Sequence, residues 1–546
     1  MNNLGNYDVI IIGGGATGAG TARDCALRGL KVLLVERKDF ATGATGRNHG
    51  LLHSGARYAV TDQESATECI SENKILRSVA RHCVEETDGL FITLPEDDLD
   101  YQKKFIDSCL KAGISAEAIS PEEARRMEPS INPSLIGAVK VPDGAIDPFR
   151  LVSANILDAR LHGAKVLTYH EVVDFVRSGN RIEGVRLRNT LSGEESVASA
   201  PVTVNAAGIW GHLIAQKAGV MVGMLPAKGS LLVFGHRVNN VVINRCRKPA
   251  NADILVPGDT ICLIGTTSDK IPFEDIDKNE VTAEDVDLLL HEGAMLAPAL
   301  AHTRILRAYA GVRPLVADDS DPTGRSVSRG IVCLDHATRD GLEGFVTITG
   351  GKLMTYRLMA EWATDMVCRK LGRTTLCTTA TTPLPGSSTQ HLPNTTRERK
   401  HFISMTMGEK GATGRHGDQR SKINFESNGD KALVCECEQV SVGEIKYAIE
   451  SLGATNLVDL RRRTRMGMGT CQGHLCAVRT AGILADSHKA THEEALSDVA
   501  SFVNERWRGV CPIAWGDSLV EAQFTRWLYE GVCGLSEIVT NKEEKI

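Results

Sequence analysis

The stretch that decides the fold is YDVIIIGGGATGAGTARDCALRGLKVLLVER, residues 7–37. Its apolar run at 9–12 is typical of a buried parallel strand. The run is followed by the pattern G-x-G-x-x-G at Gly13, Gly15 and Gly18. Gly13 permits a sharp turn, Gly15 lets the backbone approach a pyrophosphate, and Gly18 lets a helix lie close to the strand. The stretch therefore predicts a strand, a tight turn and a helix that together bind a dinucleotide.

A second strand is predicted over residues 31–35 and ends at Glu36, about 20 residues after the glycine turn. A carboxylate at this place can accept hydrogen bonds from ribose hydroxyls, and the N-terminus of the intervening helix favours phosphate groups. Because strand, turn, helix, second strand and acid follow one another in the expected order, a dinucleotide site is favoured over a purely structural turn.

Two later stretches favour a tightly held FAD over an exchangeable NAD. VTVNAAGIWG, residues 202–211, is another apolar strand that ends in small residues. GFVTITGGKLMTYRLMAEWATDMV, residues 344–367, continues a strand through a turn at Gly350 and Gly351 into a helix. The N-terminus of that helix can stabilise negative charge on a reduced flavin ring. Three separated segments are thus predicted to face one flavin dinucleotide.

Length and composition narrow the class of protein. A chain of 546 residues suggests two or three domains, and its net charge of −6 argues against nucleic acid as a partner. The sequence predicts no signal peptide, and no apolar run approaches the roughly 20 residues needed to span a bilayer. Most of the 15 cysteines are scattered and are interpreted as reduced, buried side chains.

Four cysteines near the end of the chain have the spacing of metal ligands. Cys435 and Cys437 form C-x-C, and Cys471 and Cys476 form C-x4-C after a predicted helical hairpin. Four thiolates suit either zinc or a [2Fe–2S] cluster. Structural zinc sites usually carry C-x2-C knuckles, which these two pairs lack, so the spacing favours [2Fe–2S]. Zinc and a degenerate, empty site remain as alternatives.

Two segments beside these cysteines each allow more than one interpretation. An arginine-rich segment is interpreted as a solvated helix face, the alternative being that it raises the cluster potential or docks a partner. It contains Arg461, Arg462, Arg463 and Arg465. An aromatic-rich tail indicates either core packing or a subunit contact. It contains Trp507, Trp515, Trp527 and Tyr529.

Several motifs together resemble one flavoprotein family. The opening unit, ATGATGRNHGLLHSGARY, NAAGIW, GVRPLV and GGKLMTYR are similar to motifs of the FAD-dependent glycerol-3-phosphate dehydrogenases, which belong to the D-amino-acid-oxidase-like flavoproteins. This resemblance covers residues 7 to about 385. The cysteine spacing resembles the bacterioferritin-associated-ferredoxin-like (BFD-like) [2Fe–2S] domain of several flavin dehydrogenases.

The resemblance implies an α/β fold. A two-part FAD-binding Rossmann domain is expected to carry an antiparallel-sheet substrate domain, followed by a small helical iron–sulfur domain. The expected divisions are an oxidoreductase domain at 1–385, a linker at 386–430, a BFD-like [2Fe–2S] domain at 431–485 and a helical tail at 486–546. Within the first domain, the Rossmann part is expected at about 1–80, 145–215 and 325–375, with the substrate part between.

The resemblance also implies which residues hold the cofactors. Cys435, Cys437, Cys471 and Cys476 are expected to bind the cluster. The residues expected to contact FAD are Gly13, Gly15, Ala16, Thr17, Gly18, Glu36, Arg37, Thr42, Gly43, Thr45, Gly46, Leu51, Leu52, Val172, Ala207, Gly208, Trp210, Gly350, Gly351, Lys352, Leu353 and Thr355.

The substrate that the resemblance implies is sn-glycerol 3-phosphate, a dianion with a secondary alcohol. Hydride would leave C2 for the flavin and give dihydroxyacetone phosphate, so the protein must hold the phosphate and accept the hydroxyl proton. Guanidinium forks and lysine are suited to phosphate. The residues expected to bind substrate are Arg57, Tyr58, Arg313, Arg329 and Lys352.

The catalytic residues that the motifs imply are His53, Arg313 and Lys352. A neutral His53 is suited to accept a proton near neutral pH, although it can equally serve to pack against the flavin. Arg313 offers a second route, by stabilising a developing alkoxide. The sequence departs from the family after KGS, residues 228–230, where Leu231 stands in place of a substrate-site histidine.

The resemblance further implies two partner subunits, one of a second flavin type and one an iron–sulfur subunit that anchors the complex to the membrane. FMN is expected in that complex, with electrons passing to quinone at the cytoplasmic side of the inner membrane and this chain attached peripherally. Two other functions remain open: an opine or amino-acid dehydrogenase of the same fold, and a non-catalytic electron-transfer subunit.

Overall fold

The computed structural model describes residues 2–316, 330–387 and 404–535. The strands of these ranges are β1 (Asn2–Asn6), β2 (Val9–Ile12), β3 (Val32–Val35), β4 (Leu51–Leu52), β5 (Val84–Glu85), β6 (Gly89–Thr93), β7 (Glu117–Ile119), β8 (Gly137–Val141), β9 (Gly144–Ile146), β10 (Lys165–Leu167), β11 (His170–Ser178), β12 (Arg181–Asn189), β13 (Glu195–Ser199), β14 (Val202–Asn205), β15 (Met224–Phe234), β16 (Val242–Arg245), β17 (Ile254–Pro257), β18 (Cys262–Gly265), β19 (Asp269–Lys270), β20 (Ile305–Val316), β21 (Ile331–Asp335), β22 (Phe345–Gly350), β23 (Leu433–Cys435) and β24 (Val440–Ser441).

The α-helices of the same ranges are α1 (Ala16–Leu27), α2 (Gln63–Val79), α3 (Asp100–Lys111), α4 (Pro121–Met127), α5 (Pro148–Leu161), α6 (Gly211–Lys217), α7 (Ala283–Leu296), α8 (His336–Asp340), α9 (Tyr356–Lys370), α10 (Met407–His416), α11 (Asn428–Lys431), α12 (Val442–Glu450), α13 (Leu457–Thr464), α14 (Ala477–His488), α15 (His492–Val510) and α16 (Gly516–Trp527). Among them, no helix combines the length and the hydrophobicity that crossing a membrane requires.

A six-stranded sheet in the order β10-β3-β2-β14-β22-β21 forms the centre of the nucleotide-binding part. All neighbours pair in parallel except β21 with β22. Its strands are apolar on both faces because both faces are covered. Helices α1, α5 and α9 pack on one face, and the sheet β1-β13-β12-β11 packs on the other. The predicted strand, turn, helix and second strand are present as β2, α1 and β3.

A larger, mostly antiparallel sheet forms the second part, in the order β19-β15-β18-β17-β16-β6-β8-β7, with β20 pairing with β15. Only β16 and β6 pair in parallel within this sheet. Helix α7 contributes to an apolar core on one face of the sheet. The long pair β15–β20 runs from this core to the edge of the nucleotide sheet, so it brings side chains of the second part close to the first.

The C-terminal helices pack around the short hairpin β23–β24 with their own apolar core. Leu457, Phe502 and Tyr529 are almost fully buried there. The sequence predicted a linker over 386–430, but from residue 404 onward the chain already belongs to this packed unit. Residues 388–403 lie outside the described residues.

The linker was expected to contain one short helix, and the packing of α10 shows how this polar sequence forms it. The helix begins at a capping box formed by Thr406 and Glu409. It is tied to α12 by a buried ion pair, with Arg415 Nη2 lying 2.6 Å from Glu444 Oε2. A polar, turn-rich sequence therefore folds through caps and one buried charge pair, without an apolar periodicity.

We predict that Gly18→Ala destabilises the nucleotide-binding part, because a Cβ atom at this position would lie 1.9 Å from the Gly13 carbonyl oxygen. Helix α1 would have to move away from the turn, at a cost of about 1–3 kcal/mol in the free energy of unfolding. Calorimetry and the FAD content of the purified variant measure the two effects. Gly482→Ala is the matched control, because no atom lies within 4 Å of its added Cβ. An unchanged melting temperature and FAD content in Gly18→Ala would contradict this prediction.

Candidate functional site

A cavity of about 710 Å³ opens at the edge of the nucleotide sheet where β2, β14 and β22 end. Its volume lies in the range of sites that bind a cofactor. Its wall is shared by three parts of the chain: the turns after the parallel strands, the pair β15–β20, and the C-terminal helical domain. Ligands of open α/β sheets bind at this carboxyl edge, so the cavity lies where the sequence predicted the flavin.

The glycine turn after β2 forms the cradle for the phosphates. Gly13 has φ +114°, and a Cβ atom there would lie 2.6 Å from the Ala206 carbonyl oxygen. The Gly14 amide donates a hydrogen bond of 2.7 Å to Glu36 Oε2, and the Lys38 amide donates one of 2.9 Å to Oε1. Burial raises the pKa of Glu36. The predicted ribose-binding carboxylate is therefore held at the end of β3, beside the turn.

Two more of the predicted cofactor residues pack together at the rim. The Arg37 guanidinium lies 4.6 Å from the centroid of the Trp210 ring. Both side chains bind Asp277, with Arg37 Nη2 at 2.6 Å and Trp210 Nε1 at 3.3 Å. On the inner side, the Ala16 amide at the start of α1 donates to Thr45 Oγ1 at 3.0 Å. These contacts connect the segment after β3 with the first glycine turn and with the turn after β14.

The structure places most of the predicted cofactor residues in the cavity wall. Those that line it are Gly13, Gly15, Ala16, Thr17, Glu36, Arg37, Thr42, Gly43, Thr45, Gly46, Leu51, Val172, Ala207, Gly208, Trp210, Gly350, Gly351, Lys352 and Leu353. Three others lie behind the wall. Gly18 packs against the turn, Leu52 is in the apolar core, and the Thr355 hydroxyl accepts from the Lys352 amide at 2.9 Å.

The second glycine turn presents a helix N-terminus to the cavity. Gly350 and Gly351 have φ +80° and +65°, and added Cβ atoms would lie 2.3 Å from the Gly330 carbonyl oxygen and 2.5 Å from Met359 Sδ. A short 3-10 turn, Leu353–Thr355, then leads into α9. The positive end of this helix therefore points at the cavity, as predicted for a site that stabilises a reduced flavin.

Three predicted substrate-site residues meet beside this turn. His53 is buried, and its ring centroid lies 5.1 Å from that of Tyr58. Lys352 Nζ lies 4.5 Å from the centroid of the same Tyr58 ring. This nitrogen is buried, and among the described residues no group forms a hydrogen bond with it. The cavity thus contains an ammonium group whose charge is available to an anion.

The predicted arginines are placed differently. Arg57 and Arg313 both line the cavity. Arg57 Nη2 donates to Asp253 Oδ2 and to the Ala250 carbonyl, each at 3.0 Å. Arg313 donates to the Thr266 hydroxyl and, at 2.9 Å, to the Thr267 carbonyl. These two guanidinium groups are thus engaged with the protein wall. Arg329 lies outside the described residues.

The departure at Leu231 also has a structural reason. Leu231 is a fully buried residue of β15, and a Cβ atom added at Gly265 would lie 2.9 Å from its side chain. Neighbouring polar residues are likewise committed, since Lys228 Nζ and Ser230 Oγ each lie 2.9 Å from Asp285 Oδ2. The strand therefore packs at this position, and Leu231 does not line the cavity.

Sequence reasoning missed several wall residues between the glycine turn and His53. Arg47, Asn48 and His49 line the cavity, and Tyr309 OH donates a 2.8 Å hydrogen bond to the Asn48 carbonyl. These residues stand inside the quoted motif ATGATGRNHGLLHSGARY, so the signal was present there. Nothing in the local sequence indicated that residues of the C-terminal domain would line the same cavity.

The four predicted cluster ligands lie together at the start of α14 and the end of β23. The Cys476 thiol hydrogen-bonds to the sulfurs of Cys435 and Cys471, and Cys437 contacts Cys471. The hydrogen bond from Cys476 lowers the pKa of the Cys471 thiol. Two cysteine pairs, whose first members are 36 positions apart, are thereby assembled into one sulfur site.

Backbone amides surround these sulfurs, as a negatively charged cluster requires. The amides of Gly467 and Glu438 donate to Cys435, and those of Gly473 and Leu475 donate to Cys471. The loop is tight, because a Cβ atom at Gly469 would lie 2.6 Å from Cys437 Cβ. Four thiols with amide donors fit a [2Fe–2S] cluster, whose reduction potential depends on such hydrogen bonds.

The interpretation of the arginine segment as a solvated helix face is wrong. Arg461 and Arg463 are 7% and 4% exposed. Arg461 binds Glu505 with both Nη atoms at 2.5 and 2.8 Å, while Arg463 Nη2 and Arg462 Nη1 bind Asp39 at 2.5 and 3.0 Å. Because Asp39 belongs to the nucleotide-binding part, Arg462 and Arg463 are paired across the domain boundary, whereas Arg461 is paired within the C-terminal domain.

The chain matches two family models. The family described as FAD dependent oxidoreductase matches residues 8–357, and the BFD-like [2Fe-2S] binding domain matches residues 433–486. Fold and site thus define a FAD-dependent oxidoreductase with an attached iron–sulfur domain, which confirms the predicted fold class.

Similar proteins narrow this class. The A subunit of anaerobic glycerol-3-phosphate dehydrogenase from Escherichia coli (strain K12) is 65% identical over 531 residues, covering 97% of each chain. The protein of the same name from Haemophilus influenzae is 60% identical, covering 97% of this chain and 94% of its own. The chain belongs to the family of these A subunits. The glycerol-3-phosphate dehydrogenase from Bacillus halodurans, solved with FAD, has a TM-score of 0.68 over 94% of this chain and 97% of its own, and its 23% identity makes this a similarity of fold.

We predict that Cys471→Ser abolishes cluster incorporation and leaves FAD bound, because the cysteine loop and the nucleotide cradle are separate parts of the cavity wall. Iron and acid-labile sulfide analysis, EPR after dithionite reduction and the flavin absorption measure the outcome. Cys511→Ser is the control, since Cys511 is exposed and lies outside the sulfur site. A full cluster content in Cys471→Ser would remove this residue from the ligand set.

Proposed function

We propose that this protein oxidises sn-glycerol 3-phosphate to dihydroxyacetone phosphate, with hydride passing from C2 to a bound FAD. The observation that carries the proposal is the buried Lys352 ammonium beside Tyr58 and His53 at the turn that faces the flavin site. A phosphate dianion is a suitable partner for such a charge. The names of the relatives from E. coli and H. influenzae support the same substrate.

In this mechanism FAD, when bound, supplies the hydride acceptor. Lys352 holds the phosphate, and the aromatic ring of Tyr58 keeps the ammonium in place. His53 accepts the hydroxyl proton, because it is buried beside them and a neutral imidazole is a base near neutral pH. Arg313 is the weaker candidate for this step, since its guanidinium is engaged with Thr266 and Thr267. Arg57 and Arg313 instead stiffen the wall that positions the substrate.

The proposal includes an electron relay. A reduced flavin holds two electrons, whereas a [2Fe–2S] cluster carries one at a time. In a dehydrogenase whose electron acceptor is a partner protein instead of oxygen, such a domain can therefore pass electrons from the flavin to the partner. We place the further route in two partner subunits: a second flavin-type subunit, with FMN in the complex, and a membrane-anchoring iron–sulfur subunit. Electrons would then reach quinone, with this chain peripheral on the cytoplasmic side of the inner membrane.

An exposed aromatic surface beside the cluster supports a protein partner. Trp507, Trp515, Phe524 and Trp527 are between 47% and 66% exposed, whereas Tyr529 is buried. The surface adjoins the cysteine loop, because the ring centroids of His474 and Phe524 lie 5.8 Å apart. Exposed tryptophan is enriched where proteins bind one another. The exposed tryptophans of this tail therefore favour the interpretation as a subunit contact, whereas the buried Tyr529 favours core packing.

An anaerobic titration of the purified protein with sn-glycerol 3-phosphate tests the function. We expect the flavin absorption to bleach and a reduced-cluster EPR signal to follow. The enantiomer sn-glycerol 1-phosphate and a set of amino acids serve as controls, and bleaching by an amino acid alone would favour the opine or amino-acid dehydrogenase. If no small substrate bleaches the flavin, even in the assembled complex, the chain is a non-catalytic electron carrier.

We predict that Lys352→Gln raises KM for sn-glycerol 3-phosphate by about 10- to 100-fold while FAD stays bound, because a charge-assisted hydrogen bond of about 1.5–3 kcal/mol is lost. Steady-state kinetics with an artificial acceptor measure the change. Lys228→Gln is the matched control, since that lysine is paired with Asp285. An unchanged KM in Lys352→Gln would exclude this lysine from phosphate binding.

A further inference from the structure

The two glutamates that flank Cys437 bind arginines in very different surroundings. Glu436 pairs with Arg479 at 2.7 and 2.8 Å, and both side chains are about half exposed. Glu438 is buried, and its Oε2 accepts a hydrogen bond of 2.9 Å from Arg465 Nε. The cluster loop therefore has one ion pair facing solvent and another facing the rest of the chain.

The inner pair reaches into the oxidoreductase part of the chain. Glu438 Oε1 also accepts a hydrogen bond of 2.6 Å from Thr260 Oγ1, in the turn between β17 and β18. Arg465 contacts Asp259 in the same turn at 3.1 Å and Asp147 at 3.3 Å. One arginine of the cluster domain thus joins the cysteine loop to two separate segments of the flavin-binding domain.

Each of these segments also belongs to the flavin cavity. Asp147 caps α5 by accepting from the amides of Phe149 and Arg150. The strand immediately before it, β9, pairs with β4, which leads directly to His53. Asp147, Asp259 and Arg465 line the cavity themselves. A displacement of Arg465 would therefore act on the part of the cavity wall that adjoins the cysteine loop.

The loop between the cysteine pairs forms the next piece of this wall. Met468 and Gln472 line the cavity together with His53 and Gly350. Gln472 is the covalent neighbour of the cluster ligand Cys471. Its side-chain amide donates to the carbonyls of Met468 and Gly469 at 2.9 and 3.0 Å, so the loop is held in one shape. The flavin cavity thus extends to the residue next to a cluster ligand.

The buried charges make this contact specific in its geometry. Glu438, Asp147 and Arg465 have side chains that are 2%, 10% and 12% exposed. Buried ion pairs are weak sources of stability, but they tolerate few alternative arrangements because an unpaired charge is costly. A network of this kind is suited to holding two redox groups at one separation.

We propose that electrons pass within this chain from FAD to the cluster across the loop of Met468 and Gln472, and that Arg465, acting through Glu438, is the positioning residue for this step. The inference rests on the proposed function. When bound, the two-electron-reduced flavin would supply its electrons singly, with its proton released to solvent, and the cluster held by Cys435, Cys437, Cys471 and Cys476 would accept one electron at a time. A one-electron acceptor, such as ferricenium, would reoxidise the cluster between the two transfers.

The test is anaerobic stopped-flow and freeze-quench EPR of the full chain with FAD and cluster loaded. In Arg465→Gln and Glu438→Gln we expect flavin bleaching by sn-glycerol 3-phosphate at the wild-type rate, full iron content, and cluster reduction slowed by about 10-fold or more, as expected for a misplaced reacting group. Arg465→Lys should recover part of the rate. The milder variant Thr260→Val, which removes one hydrogen bond to Glu438, should slow cluster reduction less.

Glu436→Gln and Arg479→Gln are the matched controls, because they break the exposed pair beside the same cysteine. If the cluster is reduced at the same rate in the variants of the buried pair (Arg465→Gln and Glu438→Gln) as in those of the exposed pair, whether fast or slow, the positioning role is overturned. Wild-type cluster reduction in Thr260→Val and Arg465→Gln together would also overturn it. If sn-glycerol 3-phosphate does not bleach the wild-type flavin, the proposed substrate fails. Photoreduction of the flavin in the same variants then decides the electron route independently.

Discussion

The constraint on which the structure depends is the close approach of backbone segments at the carboxyl edge of the nucleotide sheet. The strands β2, β14 and β22 end side by side, and the turns that follow them leave no space for a Cβ atom at Gly13, Gly350 or Gly351. Because these turns are fixed, the amides of α1 and the N-terminus of α9 face a common cavity. Glu36 and Lys352 take their places from the same edge, so the predicted ribose-binding carboxylate and the proposed phosphate-binding ammonium share one geometric origin.

Charge pairing across domains extends this edge into a closed cavity. Asp39 receives Arg462 and Arg463 from the C-terminal domain, and Arg465 bridges Glu438 to Asp147. Each of these pairs is shielded from water, so each disfavours other orientations of the domain more than it stabilises the protein. Residues of the C-terminal domain therefore form part of the cavity wall, together with the turns of the nucleotide-binding part.

Local patterns predicted the parts of the protein whose function lies in the backbone or in spacing. The glycine turn, the second strand and the four cysteines could all be predicted from the sequence, since each requires particular residue types at neighbouring positions. The prediction of a linker over 404–430 and that of a solvated arginine face were wrong. Both segments consist of polar residues that are buried with partners, Arg415 with Glu444 and Arg463 with Asp39. A polar residue shows no sign of burial in its own sequence, because its partner is chosen by the fold.

The sequence by itself determined a dinucleotide-binding unit, a flavin-facing glycine turn and a four-cysteine site, because these follow from steric limits and ligand chemistry along short stretches of chain. Only the tertiary structure decided which cations remain available to an anion. Arg57 is committed to Asp253, almost 200 positions away, whereas Lys352 lies over Tyr58. Only the tertiary structure, likewise, decided that the cysteine loop and the flavin cavity share a wall. The physical reason is that hydrogen-bond and charge partners are selected by proximity in space, which spacing along the chain does not encode.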